Sequence, residues 1–395
     1  MTANGGGAAR PSVPFPPHQR VGWFELFYDL VIVAAVGYAA HTFAHDPSWS
    51  LGFWIAAWTL IMFVLWLQTT LHNNLLPGDS AARRMLGLAQ MLALVIAALG
   101  TVADEGLSNA TGFAGLAISF GTVAALYGLV RVRKHTDLRL RWLIGGSAGV
   151  AALLLLSGVL LPDDADWSFS GAPPWIIAVG VGIATIALFG PAMRPVAAKV
   201  DDEHLAERLG QIVIIVLGEA FVSLVSALGG LSTIPNPFFF VLTFLVVFAI
   251  WTLYFSSVVT AHLPRSAGGL RAWLAAHWLL MFGAIGAAAG FSAVTLVPFG
   301  VESEKAASEW TTLPLALVMI ALAVLSWLGS RHFSRMVRMH LATAVALLVL
   351  SVFGVVFTPD GENWEIALGS IVVLADAVLV SRWVLPYRDE GVQIG

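Results

Sequence analysis

Apolar runs of about twenty residues recur along this chain, separated by short breaks of charge, proline and glycine. A helix needs about 20 largely apolar residues to cross the hydrocarbon of a bilayer. Cutting the chain at the breaks gives twelve spans, at 24–44, 52–72, 84–103, 112–131, 141–161, 175–193, 208–229, 237–260, 271–296, 312–331, 340–358 and 364–384. The breaks are turn-like, for example "LPGDS" at 76–80, "LPDDADW" at 161–167 and "TPDGENW" at 358–364. They leave no room for a sizeable soluble domain. The pattern predicts an all-α integral membrane protein of about twelve transmembrane helices.

Composition agrees: 58% of residues are hydrophobic, 11% are charged, and the mean hydropathy is +0.84. A soluble core does not need that apolar surplus, whereas lipid does. A net charge of −4 and the lack of a Gly-rich phosphate loop argue against a nucleic-acid partner. With no cysteine, the chain offers no disulfide, thiolate nucleophile or Cys-based metal site. Residues 1–22 are rich in Gly, Ala and Pro and read as a disordered leader. The apolar run from Trp23 to Phe43 exceeds the ~7–15 residues of a secretory signal and reads as a retained helix.

Positive residues are retained on the cytoplasmic side during insertion, so their distribution tests the count. With both termini cytoplasmic, nineteen of the twenty Lys and Arg fall on that side. Lys305 is the exception, in a loop that also carries Glu302, Glu304 and Glu309. Missing one span would invert everything after it and destroy the pattern. The expected location is a bacterial cytoplasmic membrane, with lipids as partners.

Spans n and n+6 resemble one another. "RRMLGLAQMLALVIAALG" at 83–100 matches "LRAWLAAHWLLMFGAIGA" at 270–287, setting Gln90 against His277. Trp66 falls against Trp251, and "LPDDADW" against "TPDGENW". In order and at equivalent points, the matches favour a duplicated six-helix unit, 23–200 and 201–386, followed by a cytoplasmic tail at 387–395. Six is even, so the two repeats run parallel, an arrangement known among secondary transporters.

Two stretches carry acids into the apolar runs: "WFELFYDLVIVAAV" at 23–36 and "ERLGQIVIIVLGEAFVSL" at 207–224. They resemble the characteristic stretches of the bacterial low-temperature-requirement protein A family, and the resemblance covers about residues 20 to 385. It implies a multi-pass inner-membrane protein associated by name with growth in the cold. That is a phenotype and not a mechanism.

An ionisable side chain at the centre of a membrane helix costs at least ~2.5–3.5 kcal/mol, which makes each one a candidate functional group. Glu25, Asp29 and Glu207 lie near helix N-termini, where carboxylates complement the dipole. Glu25 with Asp29, and Glu207 with Gln211, are i,i+4 neighbours. Two readings stand for them: packing, capping or pairing with arginine, and a shared polar face lining a cytoplasmic vestibule. Glu219 and Asp376 fall about 12 residues into their spans, near mid-depth. Each is a neutral acid bonded to a neighbouring helix, or a group that exchanges a proton. His277 and Gln90 line a common pathway or bond between helices. His41, His45 and Asp46 have too few nearby ligands to hold a metal, and no cofactor is expected.

The leading expectation is a secondary transporter or permease, coupled to protons through Glu219, for a small solute that the sequence does not identify. The alternatives are a membrane-embedded enzyme acting on lipid, against which stands the lack of a Ser/His/Asp constellation, and a non-catalytic sensor or assembly factor. Oligomeric state is not legible. The topology has a direct check: a fluorescent protein fused after Gly395 should fluoresce, and alkaline phosphatase inserted at 161–167 should be active. The reverse pattern would overturn the orientation.

Overall fold

The computed structural model describes residues 22–383 except 46–47, 77, 79, 103–108, 131–134, 161–171, 259–262, 300, 302–304, 330–333 and 358–362. The leader up to residue 21, the 161–167 loop, most of the 358–364 loop, Asp46, Glu302, Glu304 and the 387–395 tail lie outside the described residues. The protein is a membrane protein with twelve helices long and apolar enough to span a bilayer. They are α1 (Trp23–His45), α2 (Trp49–Leu75), α3 (Ala81–Val102), α4 (Asn109–Gly128), α5 (Asp137–Gly158) and α6 (Trp175–Ala197), then α7 (Asp202–Ala227), α8 (Pro237–Ser257), α9 (Ala267–Leu296), α10 (Lys305–Gly329), α11 (Ser334–Phe357) and α12 (Trp364–Trp383).

The helices follow the apolar runs, but α7, α10 and α11 begin about six residues before their runs do. The apolar pattern marks lipid contact, whereas a helix starts where its first N–H groups are capped. Asp201 Oδ1 accepts from His204 N at 3.2 Å and starts α7 in polar sequence. Asn236 caps α8 in the same way, with Pro237 in the first turn where its missing N–H costs nothing. Two helices contain π-turns, Arg141–Gly146 in α5 and Leu188–Ala192 in α6. In α6 the cause is Pro191, which has no N–H to continue the ladder.

In the first six helices, α1 packs on α2 and α3, α3 on α4, α4 on α5, α5 on α6, and α2 on α4 and α6. In the last six, α7 packs on α8 and α9, α9 on α10, α10 on α11, α11 on α12, and α8 on α10 and α12. α1 and α2 join the two sets by packing on α7 and α9. α9 is enclosed on all sides, with every residue from Leu280 to Thr295 buried. A helix that is apolar all round belongs in such a centre.

Lipid is as apolar as leucine, so helices associate through close packing and polar bonds. At the α3–α4 contact a Cβ added to Gly115 would lie 2.6 Å from both Ala93 O and Ala97 N. At the α2–α10 contact a Cβ on Gly52 would lie 2.0 Å from the Trp310 indole. That indole also meets Phe43, Trp49, Phe53 and Phe282 at ring centroid distances between 5.4 and 6.2 Å. Aromatic packing therefore holds α1, α2, α9 and α10 together near the Trp49 end of α2.

Gly115→Ala should force α3 and α4 apart and lower stability by about 1–3 kcal/mol, the usual cost of overpacking. Gly182→Ala, where an added Cβ meets nothing within 4 Å, should be neutral or slightly stabilising. Thermal unfolding of the detergent-solubilised protein measures both, and equal melting temperatures would refute the packing argument.

Candidate functional site

Helical spacing stacks Glu25 and Asp29 on the face of α1 that meets α7. The same spacing on α7 stacks His204 and Arg208, both buried. Arg208 Nη2 lies 2.6 Å from Asp29 Oδ1, and both side chains are withdrawn from solvent. Trp66 Nε1 on α2 donates to the same carboxylate oxygen at 2.7 Å. Arg208 Nη2 also donates to Thr70 Oγ1 at 3.3 Å, and the guanidinium carbon lies 5.8 Å from the Trp66 ring centroid, within cation–π range. Three helices thus converge on one oxygen of Asp29.

The cluster is incompletely satisfied. Asp29 Oδ2, Arg208 Nε and Nη1, and both amide atoms of Gln68 are buried without a hydrogen-bond partner among the described residues. Buried polar atoms are costly unless bonded, which makes this cluster a candidate functional site. An arginine presents five N–H donors in a fixed fork suited to carboxylate and phosphate, and here only one nitrogen is engaged.

Polar contacts extend from the cluster in two directions. Toward the start of α1, Glu25 Oε1 accepts from Asn73 Nδ2 at 3.2 Å and lies 3.6 Å from His204 Nε2. Beside it, Asn74 Nδ2 donates to Asp201 O at 3.0 Å while Asp201 N donates to Asn74 Oδ1 at 2.9 Å, tying α2 to the start of α7. Toward α4, Tyr28 OH donates to Thr69 Oγ1, Thr69 to Gln90 Oε1, and Gln90 Nε2 to Ser119 O, at 3.4, 3.2 and 3.4 Å. Gln90 is therefore an interhelical bonding residue joining α2, α3 and α4.

The expected common face of Glu25, Asp29, Glu207 and Gln211 is divided. Glu207 is exposed on α7, off the buried stripe, while Gln211, which donates to it from Nε2 at 3.4 Å, is partly buried with its Oε1 withdrawn from solvent. The reason is register: the buried stripe of α7 runs through His204 and Arg208, and Glu207, one residue before Arg208, points about 100° round the helix from it. Glu219 rejoins that stripe, because the eleven residues after Arg208 make about three helical turns. It is half-buried, accepts from Ser223 Oγ at 3.4 Å, and rests on α1 at Gly37, where an added Cβ would lie 1.9 Å from its Oε1.

His277 and Asp376 lie elsewhere. His277 Nδ1 is 2.8 Å from Trp273 O, which can only accept, so Nε2 accepts from Tyr254 OH at 3.0 Å. Asp376 is buried on α12, with its Oδ2 2.6 Å from His340 Nδ1 on α11. His41 and His45 pack ring to ring at 4.8 Å, and the described residues hold no group of three metal-ligating side chains.

Sequence reasoning missed Arg208, His340 and the end of α2. Positions 68–74 read "QTTLHNN", six polar residues in seven within an apolar helix. That run is a visible signal, overlooked because none of its members is Asp, Glu, Lys or Arg. Arg208 counted as one of the cytoplasmic cations, and nothing in one sequence says that it turns toward an acid 179 residues away.

Residues 20–378 match the family model of the bacterial low temperature requirement A protein (LtrA), nearly the whole chain. An uncharacterized protein of Rhizobium meliloti (strain 1021) is 25% identical over 245 residues, covering 58% of this chain and 57% of that protein. The chain thus matches little more than half the length of that relative.

Removing one partner of a buried ion pair leaves the other uncompensated, which costs about 3–5 kcal/mol. Asp29→Ala should lose that much, and Asp29→Ala combined with Arg208→Met should recover much of it. Denaturant unfolding of the four members of this cycle measures the coupling. Strictly additive losses would show that the two residues do not interact.

Proposed function

We start from the premise that this chain belongs to the bacterial low temperature requirement A family, and we propose that it is a secondary transporter or permease of the inner membrane. It is built as two parallel six-helix repeats with both termini in the cytoplasm. The neighbour relations support the repeat: each contact of α1 to α6 described above recurs between α7 and α12. The polar bonds support it too. Gln90 of α3 bonds Thr69 of α2, and His277 of α9 bonds Tyr254 of α8. Thr69 and Tyr254 each stand three residues beyond the matched Trp66 and Trp251.

The observation that carries the reading is the buried, half-satisfied Asp29–Arg208 pair between the first helices of the two repeats. In a duplicated bundle that interface is where a solute path runs, and ionisable groups inside membranes mark such paths. Arg208 supplies unengaged donors and Asp29 an unengaged acceptor for the polar atoms of a small solute. Glu219, on the same stripe of α7, is the coupling group. Its carboxyl gains or loses a proton as α1 moves on and off it at Gly37. In the present conformation α1 and α7 are in contact at both Asp29 and Gly37, and Trp310 closes on Gly52 at the other end of α2. Passage requires one of these contacts to open while the other holds.

Liposomes containing the protein and a trapped pH dye, energised by a potential and offered pooled cell solutes, test this. Solute-dependent proton movement is expected for the wild type and should fall to the protein-free rate in Glu219→Gln. Undiminished proton movement in that variant would remove Glu219 from the coupling role, and no movement with folded wild type would count against transport.

A further inference from the structure

His340 and Asp376 are buried together between α11 and α12, whose main neighbours among the described residues are α10 and α8. Asp376 Oδ2 lies 2.6 Å from His340 Nδ1, so with Asp376 ionised Nδ1 carries the donated hydrogen. In neutral histidine that arrangement puts the free lone pair on Nε2. Nε2 of His340 is buried and has no hydrogen-bond partner among the described residues. A basic nitrogen is thus held inside the bundle, oriented by a carboxylate and left without a partner.

Among the described residues, the helices packed on this pair place no other charge beside it in an ion pair or hydrogen bond. α8 has no Asp, Glu, Lys, Arg or His between Pro237 and Ser257, and its Tyr254 bonds His277. On α10 the charged residues are Lys305 and Glu309, in the first turns, at the end remote from the start of α11. On the pair's own helices Arg335, Arg338 and Arg382 are exposed, and Glu365 is buried at the far end of α12 against Gly354. With Asp376 ionised and His340 neutral, the pair carries one net negative charge inside the bundle. Adding a proton converts it into a net-neutral ion pair, which relieves the cost of an isolated buried charge.

The proposed repeat sets apolar residues against both members of the pair. The register that sets Pro162 against Pro359 sets Val179 against Asp376 and Leu143 against His340. Val179 is exposed and Leu143 only partly buried, so the first repeat has no counterpart of this buried pair.

We propose that His340 and Asp376 form an intramembrane proton-binding site, separate from the α1–α7 interface, which takes up its proton on His340 Nε2. Uptake forms one N–H bond and breaks one O–H bond of a hydronium ion, which leaves as water. His340 lies six residues into α11, about 9 Å along the helix from Ser334 at 1.5 Å per residue, a depth that water can reach from one surface. This inference deepens the transport reading by placing a second proton site in the second repeat.

Nitrogen-15 NMR of the full chain, labelled at histidine and held in lipid nanodiscs without solute, tests it. Loss of a signal in His340→Gln assigns the residue. If that variant does not fold, the signal that moves in Asp376→Glu and Asp376→Asn assigns it. Between pH 9 and pH 5 the wild-type Nε2 signal should pass from the bare to the protonated position while Nδ1 stays protonated. In Asp376→Asn that change should be lost from the range. A wild-type Nε2 that stays in one state throughout, or an Asn variant that behaves as wild type, would overturn the proposal. Because the measurement uses resting protein, its failure leaves the liposome experiment untouched, and a silent liposome experiment leaves it standing.

Discussion

The structure depends on what a polar atom must do when water is out of reach. Moving a carboxylate into a medium of low dielectric costs of order 20 kcal/mol in the ideal limit and several kcal/mol after relaxation. Asp29 meets that cost with Arg208 and Trp66 together, so α1, α2 and α7 cannot be placed independently. Sliding α7 by one residue would turn Arg208 about 100° away from Asp29 and strand both charges. The hydrophobic surfaces of these helices impose no comparable register, because lipid accepts them in any rotation.

What hydrophobicity does not specify, small residues do. Three contacts between helices repeat one device, a large side chain seated on a glycine of its neighbour. Glu219 sits on Gly37 between α7 and α1, Trp310 on Gly52 between α10 and α2, and Glu365 on Gly354 between α12 and α11. In each case a Cβ on the glycine would fall within 2.0 Å of the seated group. Two of the seated groups are carboxyls, so close packing and the placing of ionisable groups are achieved by the same contacts. A movement that separates α1 from α7 therefore changes the surroundings of Glu219 as a direct result of geometry.

The twelve helices were legible because lipid imposes a length and a composition that a sequence displays directly. Their starts were less so, since Asp202, Glu203 and His204 read as loop by hydropathy although Asp201 caps them into α7. At the site, the acids Glu25, Asp29, Glu219 and Asp376 stood out as charges in apolar sequence. Their partners did not. Arg208 was indistinguishable from the cations that mark a cytoplasmic loop, and His340 lies close enough to Arg335 and Arg338 to read as part of the same basic end. Glu207 is exposed and stands apart from the buried Asp29–Arg208 pair, a separation set by helical register that a motif does not display. One sequence reveals which residues are costly to bury, while the partner that offsets the cost is a tertiary fact.

The two repeats proposed here share their neighbour relations but not their chemistry. The ion pair joins the first helix of one to the first helix of the other, while the His–Asp pair lies within the second repeat, where the first has leucine and valine. If the scaffold alone set the sequence, apolar pairs would serve at both places, since replacing a buried ion pair by well-packed apolar residues is often neutral or stabilising. The proposed transport role would give these costly groups a purpose beyond holding helices together. On the transport reading proposed above, groups at the α1–α7 interface would change environment as the repeats separate, whereas His340 and Asp376, on helices whose main contacts among the described residues lie within the second set, would keep their partner. A protein that couples a proton to a moving interface benefits from both kinds of site, one that senses the motion and one that stays loaded through it.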